Sequence, residues 1–181
     1  MHDQLDETAS LAVLDGDEAL FVARVEAARI VSAGVRVGSA LPLHASATGR
    51  VLLAGMSDEE LDERLRRARP QQTTPNTLLT VADIRDRVHK VRSEGVAYTD
   101  EELEYGMRTM AVPVSDATGR TQAAMAVSVF SARVSMERLQ GSSSTCCAAR
   151  LAGWAACCRG QFRYPDFCRL CRPIARLGRV L

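Results

Sequence analysis

Cysteine is missing from the first 145 residues of this 181-residue chain; all six cysteines fall between Cys146 and Cys171. A body without thiols has no disulfide framework and must draw its stability from an apolar core. Aromatic residues are scarce, at 4%, so that core has to be built from aliphatic side chains and alanine. No apolar run approaches the ~20 residues a membrane-spanning helix needs. A net charge of +1 excludes a strongly basic chain that would grip nucleic acid through charge alone. Histidine occurs only at His2, His44 and His89, and no G-x-S-x-G or comparable nucleophile motif accompanies them. These absences argue against a hydrolase, and no catalytic residue and no cofactor is assigned.

The stretch that stands out is Leu41–Gly55, LPLHASATGRVLLAG. Five small or hydroxyl residues, Ala45 to Gly49, lead into the apolar Val51, Leu52, Leu53 and Ala54. A helix apolar on nearly every side is buried all round. Its first turn carries little side-chain bulk, so a ligand can approach the unpaired N–H groups there, and a carboxylate or phosphate is the natural guest. The competing reading is a buried helix whose small residues only admit a sheet.

Around that stretch the local signals alternate between strand and helix. Thr8–Leu14 and Glu18–Val25 are β-rich runs joined by Asp15-Gly16-Asp17, a hairpin signal. Arg29–Val37 reads as a third strand ending at Gly38. Ser57 and Glu60 form a capping box for a helix with Leu61, Leu65 and Ala68 on one face. Arg69–Thr80 is a polar, proline-punctuated loop. Thr80 and Asp83 start a helix with Val81, Ile84, Val88 and Val91 on one face, stopped by Gly95. A short strand at Val96–Tyr98 follows, then an acidic turn, and then a hairpin of Met107–Val114 with Gln122–Phe130. Ser135 caps a last short helix. This order predicts an α+β domain with a mostly antiparallel sheet flanked by helices.

Side chains alternate across a strand. Thr109 and Ala111 therefore share a face opposite Met110 and Val112, and Ala126 and Ser128 share one opposite Met125 and Val127. If the two small faces coincide, they form a shallow concavity with hydroxyls at Thr109 and Ser128; the alternative is an alanine-lined face packed by a helix. The four carboxylates of Thr99–Gly106, TDEELEYG, read as a solvated turn, and His44 reads as structural.

GSALPLHASATGRVLLA together with GVAYTDEELEYGMRTMAVPVSD resembles the effector-binding domain of IclR-type bacterial transcriptional regulators. The likeness is strongest to regulators of aromatic-acid and β-ketoadipate catabolism and covers about Glu7–Leu139. It implies a GAF-like fold with a curved sheet, and a small carboxylic acid, plausibly aromatic, as effector. Carried over by position, the effector-binding residues are Ala47, Thr48, Gly49, Thr99, Thr109, Ala126 and Ser128. Sensors of small oxo-acids carry an acid, a thiol and a serine at 99, 109 and 126. Their loss here implies a roomier pocket for a larger or flatter acid. The resemblance further implies a homodimer or tetramer that contacts DNA only through an N-terminal winged helix-turn-helix module, expected to be missing from this chain. With no signal peptide or membrane span, the expected location is cytoplasmic.

Two regions follow. Residues 1–140 hold 16 Lys and Arg against 21 Asp and Glu and, by the resemblance, are expected to form the effector-binding domain. Residues 141–181 hold seven Arg against the single Asp166, and the resemblance stops at their boundary. This Cys- and Arg-rich tail has no helical stripe, and Cys168/Cys171 is a lone C-x-x-C, a weak zinc signal. It is expected to be a frameshifted terminus that is poorly ordered and binds no stoichiometric zinc. The rival reading makes the tail a zinc-binding or protein-interaction module.

Overall fold

A computed structural model describes residues 8–25 and 35–141. Six strands form one antiparallel sheet in the order β3-β2-β1-β6-β5-β4. β1 (Thr8–Asp15) and β2 (Glu18–Val25) make the expected hairpin, with Gly16 in the left-handed region at φ +55°. β1 also pairs with β6 (Thr121–Phe130), which pairs with β5 (Met107–Ser115), which pairs with the edge strand β4 (Ala97–Asp100). The other edge is β3 (Ala40–Pro42).

The third strand departs from the sequence expectation. Residues 29–34 lie outside the described residues, and residues 35–37 are not a strand; the Gly38 amide donates to the Phe21 carbonyl at 2.8 Å, the Phe21 amide to the Ser39 carbonyl at 2.9 Å, and the strand β3 continues the pairing with β2 from Ala40. Gly38 takes φ +88°, and a turn over Arg36–Ser39 closes with the Ser39 amide on the Arg36 carbonyl at 3.0 Å. At the opposite edge, β4 runs two residues beyond its expected end, because Thr99 and Asp100 find partners in Thr109 and Arg108.

The helices follow local rules. Ser57 and Glu60 make a complete capping box on α2 (Asp58–Arg67); Thr80 caps α3 (Val81–Glu94) at Asp83, and Gly95 ends it at φ +71°. Ser135 caps α4 (Met136–Gln140). α1 (Ala47–Ala54) is buried from Ala47 through Leu53. Arg92 of α3 closes its C-terminal end by donating to the carbonyls of Ala54 and Met56 at 3.0 and 2.8 Å, where a cation also meets the negative end of the helix dipole.

Alternation divides the sheet into two faces. On one, Ala12, Ala97, Ala111, Ala124 and Ala126 join α1, α3 and Phe21 in a single apolar cluster. Alanine at five positions lets α1 settle close to the sheet. The other face is bulkier: Leu11, Met110, Val112, Met125, Val127 and Val129 pack with Val134 and Leu139. This is the α+β GAF-like arrangement. The Cys-rich region and its zinc question lie outside the described residues.

Candidate functional site

The two small faces of the β5–β6 hairpin coincide. Thr109 pairs with Ser128 and Ala111 with Ala126, and the Thr109 and Ser128 hydroxyls lie 3.1 Å apart. Register extends the row on both sides: Thr99 sits opposite Thr109, and Thr8 opposite Ser128. A line of four hydroxyl residues thus crosses four strands. Above it stands the start of α1, and the two enclose a pocket of about 50 Å³. Ala47, Thr48, Thr99, Thr109, Ala126 and Ser128 all line it, six of the seven positions carried over from the resemblance. Phe21, Leu103 and Met107 supply apolar wall, and Arg24 and Glu104 bring charge.

Gly49 stands apart from that set and does not line the pocket. Its N–H is taken by the N-cap Ser46 hydroxyl at 3.0 Å. A Cβ there would lie 2.4 Å from the Leu43 Cα. Gly49 therefore provides room for the chain to pass under the helix, and its N–H is already spent on the cap. The amides of Ala47 and Thr48 meet no acceptor among the described residues. The Thr48 hydroxyl is buried and also unpartnered, although buried polar atoms nearly always find a partner. Two free N–H groups at the positive end of a helix beside an unsatisfied hydroxyl make a site suited to a carboxylate.

The acidic run needs correcting. Thr99–Gly106 was expected to be a solvated turn, yet Glu102 is only 5% exposed. Its carboxylate forms a bidentate ion pair with Arg50, which is fully buried in α1. Arg50 Nε also donates to the His44 carbonyl at 3.0 Å, and Nη1 to the Tyr98 carbonyl at 3.4 Å. The Glu102 carbonyl accepts from the Thr73 and Thr77 hydroxyls at 2.9 and 2.7 Å, and the Glu101 carbonyl from Thr74 at 2.6 Å. The loop that looked merely polar is a clamp on this turn. The only sequence signal for it is an arginine in an otherwise apolar helix, which requires a buried partner without saying which.

His44, read from the sequence as structural, contacts the chain of the long loop. Its Nε2 lies 3.3 Å from the Gln71 carbonyl, and burial holds its pKa below the ordinary 6.5, outweighing the carbonyl's opposite pull. Such a histidine takes up a proton more readily in the unfolded chain. Its contribution is therefore intact above about pH 6.5 and declines as pH falls through that value toward the folded-state pKa. His44→Gln, which keeps a donor for Gln71, should flatten the loss of stability between pH 7 and 5 relative to wild type in urea titrations. Equal pH slopes would show that His44 is not a source of acid lability.

A wider cleft of about 300 Å³ lies on the opposite face of β4, lined by Arg87, Lys90, Glu94 and Asp100. Its charges are mixed and it carries no unsatisfied buried donor or acceptor among the described residues, so the α1 pocket is the better candidate. No group of metal-ligating side chains occurs among the described residues.

Comparison with known proteins agrees with this fold. The family profile described as "Bacterial transcriptional regulator IclR C-terminal" matches residues 1–150. The chain belongs to the IclR family. It is 40% identical over 139 residues to the Pca regulon regulatory protein of Pseudomonas putida, covering 76% of this chain and 48% of that one. The chain spans about half the length of the curated IclR regulators it matches. A double mutant of the PobR inducer-binding domain of Acinetobacter, solved with 3-hydroxybenzoic acid, superposes with a TM-score of 0.77 at 29% identity, over 83% of this chain and 89% of that one. An IclR homologue from Microbacterium hydrocarbonoxydans, solved with 4-hydroxybenzoate, gives 0.67 at 27% identity, over 83% and 57%. The chain is thus an IclR C-terminal domain. No helix among its described residues is long and apolar enough to cross a membrane.

Proposed function

We propose that this domain is the sensing part of a transcriptional regulator and holds a small organic acid, of aromatic-acid size, at the start of α1. The observation that carries the reading is the buried, unpartnered Thr48 hydroxyl beside the free amides of Ala47 and Thr48. In this reading the carboxylate meets those donors. Thr99, Thr109 and Ser128 receive polar substituents at the other end, and Ala126 keeps the floor flat. The relatives solved with hydroxybenzoates are consistent with an acid of that kind. The domain performs no chemistry on the acid and needs no cofactor. Occupancy biases the geometry of a homodimer or tetramer and so the grip of a DNA-binding module in the whole regulator; light scattering that shows a monomer at high micromolar concentration would remove the assembly step.

A pocket of about 50 Å³ is smaller than the ~150 Å³ that accommodates a benzene ring. An aromatic effector therefore displaces wall side chains, and half-buried Leu103 and Met107 are the ones free to move. Calorimetry with benzoate, 3- and 4-hydroxybenzoate and aliphatic oxo- and dicarboxylic acids tests the reading. At least one acid should bind, Ala47→Leu should abolish its binding in a folded protein, and Ser128→Ala should cost about 1 kcal/mol, close to fivefold in affinity. A folded Ala47→Leu protein with unchanged affinity would place the site elsewhere.

A further inference from the structure

Three costly features converge on one short turn. The first is the fully buried Arg50 paired to Glu102. A buried ion pair is poor value as stabilisation, because apolar residues of the same volume usually do as well or better. The second is the group of hydroxyls from Thr73, Thr74 and Thr77, all spent on the carbonyls of Glu101 and Glu102. The third is Glu101 itself, a non-glycine residue at φ +55°, a conformation that persists only where the surroundings over-determine it. The residues that follow, Leu103 and Glu104, are pocket wall, and Thr99 on the preceding strand is another part of it. Arg50 lies two residues after Thr48, and it bonds both the carbonyl leading into α1 and the Tyr98 carbonyl next to Thr99.

We propose that Arg50 and Glu102 are positioning residues for the α1 pocket, a buried pair that fixes the distance between the helix start and the 101–104 turn. Neither touches the bound acid. They hold the free amides of Ala47 and Thr48 at a set separation from Leu103 and Thr99, so the pair governs which acids span the gap. The effect on affinity rests on the acid-sensing reading above; the effect on the turn does not.

The test uses the full chain with Arg50→Lys, which keeps the charge and loses the fork, and Arg50→Met/Glu102→Leu, which replaces the pair by apolar bulk. Melting temperature, amide hydrogen exchange and calorimetry with 3- and 4-hydroxybenzoate are measured on each. The informative amides are Glu101, bonded to the Met107 carbonyl, and Met107, bonded to the Glu104 carbonyl. The double variant should melt within a few degrees of wild type and leave exchange in α3 unchanged. It should speed exchange at Glu101 and Met107 at least tenfold and weaken hydroxybenzoate binding at least tenfold, with Arg50→Lys intermediate. Wild-type exchange at both amides in a folded double variant would overturn the proposal, as would faster exchange with unchanged affinity. If wild type binds neither hydroxybenzoate, the exchange rates decide the positioning role by themselves, and the effector reading fails when none of the wider series of acids binds. If the double variant does not fold, Arg50→Lys decides it by the same rates.

Discussion

Gly49→Ala should destabilise the domain by about 3 kcal/mol or more, although alanine normally gains about 1 kcal/mol over glycine inside a helix. The reversed sign follows from one close approach. A Cβ at residue 49 would sit 2.4 Å from the Cα, 2.5 Å from the carbonyl oxygen and 2.7 Å from the carbonyl carbon of Leu43. All three atoms are backbone, so no rotamer change relieves the clash. The helix start would have to lift from the segment beneath it, taking along the Ser46 cap and the carbonyl of His44 that Arg50 holds. Gly55→Ala should destabilise as well, because its Cβ would lie 2.5 Å from the Thr121 Cβ, an atom that no rotamer change moves, so the start of β6 would have to give way. Denaturant midpoints at constant slope measure both. A Gly49→Ala protein as stable as wild type would mean that the chain beneath α1 is not where it is described.

Arg50→Met alone should cost about 3–5 kcal/mol, because it leaves the Glu102 carboxylate buried without its cation. Glu102→Leu alone should cost a similar amount for the mirror-image reason. Their combination should recover most of the loss, so the double-mutant cycle returns a coupling of several kcal/mol. Against a total stability of about 5–15 kcal/mol, either single change brings the domain near its unfolding threshold at 37 °C. Additive losses in the cycle would show that the two side chains do not share one buried site. Stability recovered in the double variant is also what allows the pocket geometry to be measured separately from folding.

Much of this architecture was legible along the chain because it depends on neighbours in sequence. The Asp15-Gly16-Asp17 turn, the Ser57/Glu60 capping box, the Thr80 cap and the Gly95 stop each involve groups within four residues of one another, and each forms as expected. The alternation of small and large residues in β5 and β6 likewise announces two faces, since the period of a strand is two. Sequence alone thus determined which residues face together, where helices begin and end, and that α1 is buried with a small first turn. Its likeness to IclR-type regulators pointed to seven residues, six of which line one pocket.

Tertiary structure decided the rest, for the reason that partners distant in sequence leave no periodic trace. The pairing of Thr109 with Ser128 could have slipped by one residue and turned the hydroxyls to the opposite face; the register chosen by the sheet brings them within 3.1 Å. Among the described residues the third strand is Ala40–Pro42, and the Gly38 turn leading into it is tied to Phe21 of β2 by two backbone hydrogen bonds. Gly49 looked like a donor and is a spacer, which only the path of Leu43 beneath it reveals. Four carboxylates in five residues looked like solvated surface, yet one of them meets an arginine 52 positions earlier. An arginine in an apolar helix states that a buried anion exists, and folding alone selects Glu102, because charge complementarity acts through space and is blind to separation along the chain.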